Sequence, residues 1–145
     1  MELHHSVHYI QKLIEDGAIQ FDGNLGKKIT YHDPCDLGRT FEIFEEPREI
    51  LKAVVGDDLV EMEKNRMLAR CCGGGGSVMA VGPELAADMA VFRIEDAAEV
   101  GAQIIVSGCS TCKDNLRKGL KAIPKADRPK MKIQDITEIV ANSLA

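Results

Sequence analysis

The sequence predicts a single small α/β domain with a four-stranded parallel sheet flanked by helices. Helical and strand patterns alternate along nearly the whole chain, which is typical of parallel strands joined by helical crossovers. Residues 103–107 form a short, largely apolar run, as expected for a strand that is buried on both faces. A length of 145 residues is that of one ordinary domain, so no second domain is expected.

The predicted elements follow one another without an internal repeat. We divide the domain into an N-terminal helix with its connection (residues 1–22) and an α/β core (residues 28–145). The first helix covers residues 2–16, and a connection rich in small residues follows over 18–27. Strands are predicted at residues 28–32, 59–62, 103–107 and 131–134, and further helices at 47–56, 83–100, 110–120 and 135–144.

Proline, glycine and capping residues set most of these boundaries. Pro34 cannot continue a strand ladder and ends the first strand. Pro47 and Pro83 are placed at helix starts, where a missing N–H is tolerated, and Gly101 ends the longest helix. Asp135 or Thr137 is predicted to cap the last helix. Residues 63–82 show no regular pattern and are predicted to form a long irregular loop, and loops of this length tend to be either functional or disordered.

Charge and composition exclude several classes of function. The formal net charge is -5, so the chain lacks the basic footprint of a nucleic-acid-binding protein. No apolar run approaches the roughly 18 residues of a membrane span, and we expect no direct span. The first residues do not resemble a signal peptide. We therefore expect a cytoplasmic protein that reaches a membrane only through a partner subunit.

The five cysteines fall in three of the predicted loops. Cys35 follows the first strand, Cys71 and Cys72 lie after the second, and Cys109 and Cys112 follow the third. The carboxyl ends of parallel strands meet at one edge of the sheet, where ligands of open α/β sheets bind. All five thiols are therefore predicted to reach the same edge. Clustered cysteines in a reducing compartment bind metal or do redox work more often than they form disulfides.

The residues alone leave three kinds of site open. An iron–sulfur cubane takes four thiolates, so a fifth thiol is either spare or belongs to an unusual cluster. Zinc also takes four thiolates, although its second half-site is usually another Cys-x-x-Cys pair. Thiol redox chemistry at Cys109 and Cys112 alone leaves the other cysteines unexplained. The double cysteine is followed by four glycines, Gly73, Gly74, Gly75 and Gly76. Their backbone is expected to approach a bound cluster and to donate N–H groups to it.

These motifs together resemble the cysteine-rich CCG domain of the B-type and D-type polypeptides of heterodisulfide reductase and of related iron–sulfur oxidoreductases. The resemblance rests on Asp33-Pro34-Cys35, on Cys71-Cys72-Gly73 and on Cys109-Ser110-Thr111-Cys112. It implies a non-cubane [4Fe-4S] cluster at which a disulfide is reduced one electron at a time. The ligands would be Cys35, Cys71, Cys72, Cys109 and Cys112. It also allows zinc or a cubane cluster, in which case the domain would be a structural or docking module without its own catalysis.

The chain carries one five-cysteine set and no run of cysteines typical of a ferredoxin-like cluster. We therefore expect a fragment or subunit of a larger redox complex, and an oxidoreductase domain that needs a partner as electron donor. The expected partners carry ferredoxin-like clusters, flavin or a membrane anchor. The expected substrate is a small-molecule or protein disulfide. A leaving thiolate needs a proton, and His32, at the end of the first strand, is the candidate donor.

Overall fold

A computed structural model describes residues 4–22 and 25–144 of the chain. Residues 2 and 3 of the predicted first helix, and Gly23 and Asn24 of the predicted connection, lie outside the described residues. The described helices are α1 (Ser6–Glu15), α2 (Glu45–Val55), α3 (Val78–Val81), α4 (Pro83–Glu99), α5 (Ser110–Ala122) and α6 (Ile136–Asn142). The strands are β1 (Ile29–Tyr31), β2 (Ile104–Ser107) and β3 (Lys132–Asp135).

The sheet of the described residues has three parallel strands in the order β1-β2-β3, with β2 in the centre. Ile105 of β2 pairs with Thr30 on one side and with Ile133 on the other. All four residues of β2 are buried, which agrees with the prediction of a strand covered on both faces.

The prediction of a fourth strand at residues 59–62 is wrong. Leu59 makes only an isolated parallel bridge to Ile29, and the N–H of the next residue donates to the Ile29 carbonyl oxygen at 2.8 Å. The chain then leaves the edge of the sheet, because Glu61 turns to the buried guanidinium of Arg48. An apolar pattern carries no information about such a partner, which is why the sequence indicates a full strand.

Two further boundaries differ from the prediction. Helix α2 begins at Glu45, two residues before Pro47, so this proline lies inside the first turn, where its missing N–H is still tolerated. The sequence predicts an irregular region over 63–82, but this region contains a short 3₁₀ turn at Arg66–Leu68 and the single-turn helix α3. Between β1 and α2 lies a π-helical turn at Asp36–Thr40, a type of turn that is frequent at functional sites.

Helices cover both faces of the sheet. Ile104 and Val106 of β2 pack into one hydrophobic cluster with side chains of α1, α2 and α6. Ile105 points the other way and packs with side chains of α4 and α5. This alternation places a layer of core on each face of the strand. Within the described residues, no helix has both the length and the apolar character that crossing a lipid bilayer requires.

Helices α4 and α5 approach each other closely at Gly119. A Cβ atom added to Gly119 would lie 2.5 Å from the Cβ of Ala90 and 3.1 Å from the carbonyl oxygen of Ala87. Glycine therefore allows the two backbones to come together. The contact matters for the site, since α5 carries Cys112 and α4 carries side chains that support the cysteine loops.

We expect Gly119→Ala to lower the free energy of unfolding by about 1–2 kcal/mol. Overpacking costs roughly 1–3 kcal/mol, and the better helix propensity of alanine offsets at most about 1 kcal/mol of it. Urea unfolding followed by circular dichroism measures the change. In the Ala90→Gly background the same substitution should be tolerated, because Ala90→Gly removes the clashing methyl group. Strictly additive effects of the two substitutions would contradict this account.

Candidate metal centre

All five cysteines line one cavity of about 120 Å³ at the carboxyl ends of β1 and β2. None of them forms a disulfide. The structure therefore brings the three cysteine-bearing segments together at the edge of the sheet that the sequence indicated, although the second segment follows a single bridge and not a strand. The predicted metal ligands are Cys35, Cys71, Cys72, Cys109 and Cys112. Their role in binding a metal stays a prediction.

The five thiols differ in burial. Cys35, at the start of the π-helical turn, is exposed, as is Cys71. Cys72 and Cys112 are buried, and Cys109 is half-buried at the N-cap position of α5. The site thus has a buried pair of sulfurs at its base and an exposed pair nearer to solvent.

The glycines hold the double cysteine in place through their backbone. The Gly73 N–H donates to the Cys71 sulfur and the Gly74 N–H to the Cys72 sulfur, both at 3.3 Å. Gly73 has a φ of 81°, and a Cβ there would lie 2.7 Å from the Ala86 carbonyl oxygen. Only glycine fits such a position without displacing α4.

The remaining glycines have more space. Gly75 lines the cavity, and a Cβ added to it would contact nothing within 4 Å. Gly76 has a φ of 58° and an equally open surrounding. That Gly73 through Gly76 approach a bound cluster with their backbone stays a prediction. The observed N–H groups donate to cysteine sulfurs, which are the atoms that such a cluster would use.

Contacts among the thiols shift their pKa values. The neighbouring Cys112 lowers the pKa of Cys72, while the pKa of Cys112 is raised by Cys109 and Cys72. Contact with Cys112, together with N–H groups of the first turn of α5, lowers the pKa of Cys109 to about 6. Burial and the neighbouring Asp36 raise the pKa of Cys35. Thiolates, the form that binds metal, therefore form most easily at Cys72 and Cys109.

The His32 side chain lies at the base of the cavity and is 1% exposed. Metal-binding atoms of His32, Cys72 and Cys112 lie within 4.8 Å of one another. The His32 Nδ1 accepts a hydrogen bond from the Arg93 Nε at 3.1 Å. The structure thus places the predicted proton donor among the sulfurs, although its role in catalysis stays a prediction.

Comparison with known proteins identifies the family. Residues 29–117, more than half of the chain, match the family model described as CCG, a cysteine-rich domain. The chain belongs to the CCG family. The expected resemblance to heterodisulfide reductase polypeptides and related iron–sulfur oxidoreductases is confirmed.

Several curated relatives contain a region similar to this CCG domain. The D-type polypeptide of the dihydromethanophenazine:CoB–CoM heterodisulfide reductase of Methanosarcina barkeri is 41% identical over 99% of this chain and 34% of the relative. The probable iron–sulfur-binding oxidoreductase FadF of Bacillus subtilis is 38% identical over 99% of this chain and 20% of the relative. The EtfAB:quinone oxidoreductase of Syntrophomonas wolfei is 32% identical over 96% and 20%. The chain therefore spans about a third or less of the length of these relatives.

Three buried polar residues of the CCG domain were missed from the sequence. Asn115 of α5 is 1% exposed, and its Nδ2 donates to the carbonyl oxygens of Cys72 at 2.5 Å and Ala86 at 2.8 Å. Arg48 and Arg93 are 1% and 0% exposed. One signal was available, since each arginine lies on the apolar stripe of its helix, where a charge is unexpected.

Arg48 connects two of the cysteine-bearing segments. Its Nη1 and Nη2 donate to the two carboxylate oxygens of Asp33 at 2.7 and 3.0 Å, and its Nε donates to Glu61 at 2.6 Å. Asp33 lies two residues before Cys35, and its carboxylate also accepts the Arg66 backbone N–H at 2.8 Å. The segment that leads to Cys71 is therefore fixed to the segment that carries Cys35.

We expect Arg48→Met to lower the free energy of unfolding by about 3–5 kcal/mol, because it leaves the buried Asp33 carboxylate without its cation. Arg66→Met is the matched control, since the Arg66 side chain is 38% exposed and its pairing with Glu45 is worth at most about 1 kcal/mol. Chemical unfolding followed by far-ultraviolet circular dichroism suits this chain, which has no Trp. Equal losses in the two variants would contradict the special weight of the buried pair.

Proposed function

We propose that this CCG domain holds an iron–sulfur cluster, of the non-cubane [4Fe-4S] type, and reduces a disulfide or passes electrons within an oxidoreductase complex. The observation that carries the proposal is the presence of five free thiols around one cavity. The names of the curated relatives support it, since they describe iron–sulfur and heterodisulfide reductase proteins.

The donor set fits a cluster of this kind. Thiolates are the usual protein ligands of iron–sulfur clusters, and the ligands proposed here are Cys35, Cys71, Cys72, Cys109 and Cys112. Backbone N–H groups of Gly73 and Gly74 already point at two of the sulfurs, an arrangement that stabilises negative charge on them. When bound, the cluster would supply electrons one at a time.

The surroundings of the thiols fit a reaction with a small disulfide. Reduction of a disulfide takes two electrons and two protons. His32 lines the cavity, and we propose its ring N–H as a proton donor to the leaving sulfur. A second cavity of about 520 Å³ reaches Cys109 from the side of Leu37, Phe41 and Ile43. Its lining combines these apolar side chains with polar ones, among them His5, His8 and Asp36. Such a lining suits one arm of a small-molecule substrate.

We propose that electrons reach this domain from a partner. The chain spans 34% of the heterodisulfide reductase relative from Methanosarcina barkeri and carries no cysteines beyond the five at the cavity. In this proposal, another cluster, as in a ferredoxin-like domain, or a flavin would lie outside these 145 residues or in another subunit. A membrane anchor would be supplied in the same way.

A second candidate function is a zinc- or cubane-binding module that docks a redox subunit without its own catalysis. The close approach of donor atoms from His32, Cys72 and Cys112 supports this alternative, since three donors within 4.8 Å suit a single ion. Cys109 would complete four ligands. The two functions differ in metal content and in turnover.

We expect anaerobic reconstitution with iron and sulfide to load about four irons and four sulfides per chain. One-electron oxidation or reduction should then give a paramagnetic species. Its spectrum should change in Cys35→Ser and in Cys72→Ser, because each substitution removes a proposed ligand. Metal and acid-labile sulfide analysis with electron paramagnetic resonance measures these outcomes.

Ser110→Ala is the control for the cysteine variants, because Ser110 lies between Cys109 and Cys112 without contributing a thiol. It should load and give the wild-type spectrum. A protein that holds one zinc ion and never takes up sulfide would refute the cluster proposal and favour the docking module.

The loaded domain should oxidise an artificial one-electron donor only when a disulfide is present. We expect His32→Gln to lower this rate by about 10²–10⁴-fold, the usual contribution of a general acid, with the cluster spectrum retained. Product thiols and oxidised donor are quantified together. A domain that loads a full cluster but shows no disulfide-dependent oxidation would refute disulfide reduction by this domain and leave electron transfer as its role.

A further inference from the structure

Arg93 is a buried cation with unusual partners. Its side chain is 0% exposed, and the other buried residues of α4 include Ala90, Ile94 and Ala97. The Nη1 donates to the Lys64 carbonyl oxygen at 2.6 Å and to Asp96 at 3.3 Å. The Nε donates to a side chain that carries no formal negative charge, the imidazole of His32. Burying a guanidinium is costly, so a group kept there is expected to have a specific role.

The contact with Arg93 determines which His32 nitrogen holds the proton. A guanidinium only donates and does not lose its proton in proteins, so Nδ1 of His32 must accept with its lone pair. The neutral ring then carries its proton on Nε2. A proton on Nδ1 would face the Arg93 N–H instead. The main chain at His32 is fixed as well, since the backbone N–H of His32 donates to the Val106 carbonyl oxygen at 2.8 Å.

The His32 ring lies next to the thiols: one of its nitrogens is within 4.8 Å of the sulfurs of Cys72 and Cys112. Together with Cys112, His32 contributes to the lowered pKa of Cys72. Because Arg93 occupies Nδ1, Nε2–H is the group of the ring that can donate to this sulfur. A histidine that binds a metal through Nε2 needs a lone pair there and normally donates through Nδ1–H. The Arg93 contact opposes that arrangement.

We infer that Arg93 is a positioning residue that holds His32 as an Nε2–H hydrogen-bond donor to the Cys72 sulfur and keeps it from becoming a metal ligand. The tautomer is a property of the folded chain. Its effect on a bound cluster rests on the proposed function. A hydrogen bond to a ligating sulfur stabilises the more electron-rich state, so Arg93 should raise the reduction potential through His32.

The first experiment reads the tautomer without any cluster. A long-range proton–nitrogen correlation spectrum of the anaerobic, metal-free chain, and of its zinc-loaded form, shows which His32 nitrogen is protonated. His32→Gln assigns the signals among the four histidines. We expect Nε2–H in the wild type in both forms, and loss of that preference in Arg93→Met. Arg93→Lys should restore it, because the ammonium group also donates only.

Asp96→Asn is the matched control. It weakens another side-chain contact of Arg93 and leaves the bond to His32 in place, so the tautomer should be unchanged. A wild-type ring protonated on Nδ1, or coordinated to zinc through Nε2, would overturn the inference without any Arg93 variant. This outcome is informative even if Arg93→Met fails to fold.

The second experiment uses the loaded domain in a double-mutant cycle. We expect Arg93→Met to shift the midpoint potential to a more negative value, and the same substitution in the His32→Gln background to shift it little. Equal shifts in both backgrounds would show that Arg93 acts on packing and not through His32. If the wild-type chain never loads a cluster, the proposed function fails, and the tautomer experiment still decides the role of Arg93.

Discussion

The site depends on one buried ion pair, between Arg48 of α2 and Asp33 at the end of β1. Both side chains are almost fully buried, at 1% and 2% exposure, so the pair exists only if its geometry is complete. Arg48 completes it with bonds to Glu61 and to the Phe44 carbonyl oxygen. Two chain segments that precede cysteines are thereby fixed to a helix of the core. These contacts also fix the positions of the thiols that follow.

Another buried polar side chain holds the segment of the double cysteine. Asn115 of α5 donates to the carbonyl oxygens of Cys72 and Ala86, and thus connects the double cysteine with α4 and α5. Helix α5 itself starts next to Cys109, so its first-turn N–H groups act on that thiol. Gly73 allows the backbone to pass close to α4, because it has no Cβ that would clash with the Ala86 carbonyl oxygen. The segments of Cys35 and of Cys72 are irregular in conformation but firmly held, since buried side chains, Arg48 and Asn115, connect them to helices.

The sequence predicted what depends on local pattern and missed what depends on distant partners. Strand β2 and helix α4 were found because an apolar run and a proline-started helix are local signals. The five thiols were placed at one edge because parallel strands end on the same side, whatever their exact number. The prediction of a fourth strand was wrong because Glu61 pairs with Arg48, which lies thirteen residues away in the chain. Arg93 and His32 are separated by 61 residues, and no local pattern connects them.

The division of the cavity into a buried and an exposed half bears on how the proposed site would work. Cys72 and Cys112 lie at the base, against His32 and the core, whereas Cys35 and Cys71 are exposed. Hydrogen bonds from protein groups act most strongly where water is excluded, so His32 is placed where it has the most influence on a sulfur. The exposed half is open to solvent. In the proposed function, the base of the site would therefore set the potential and hold the proton of His32, while a substrate would enter from the side of Cys35 and Cys71.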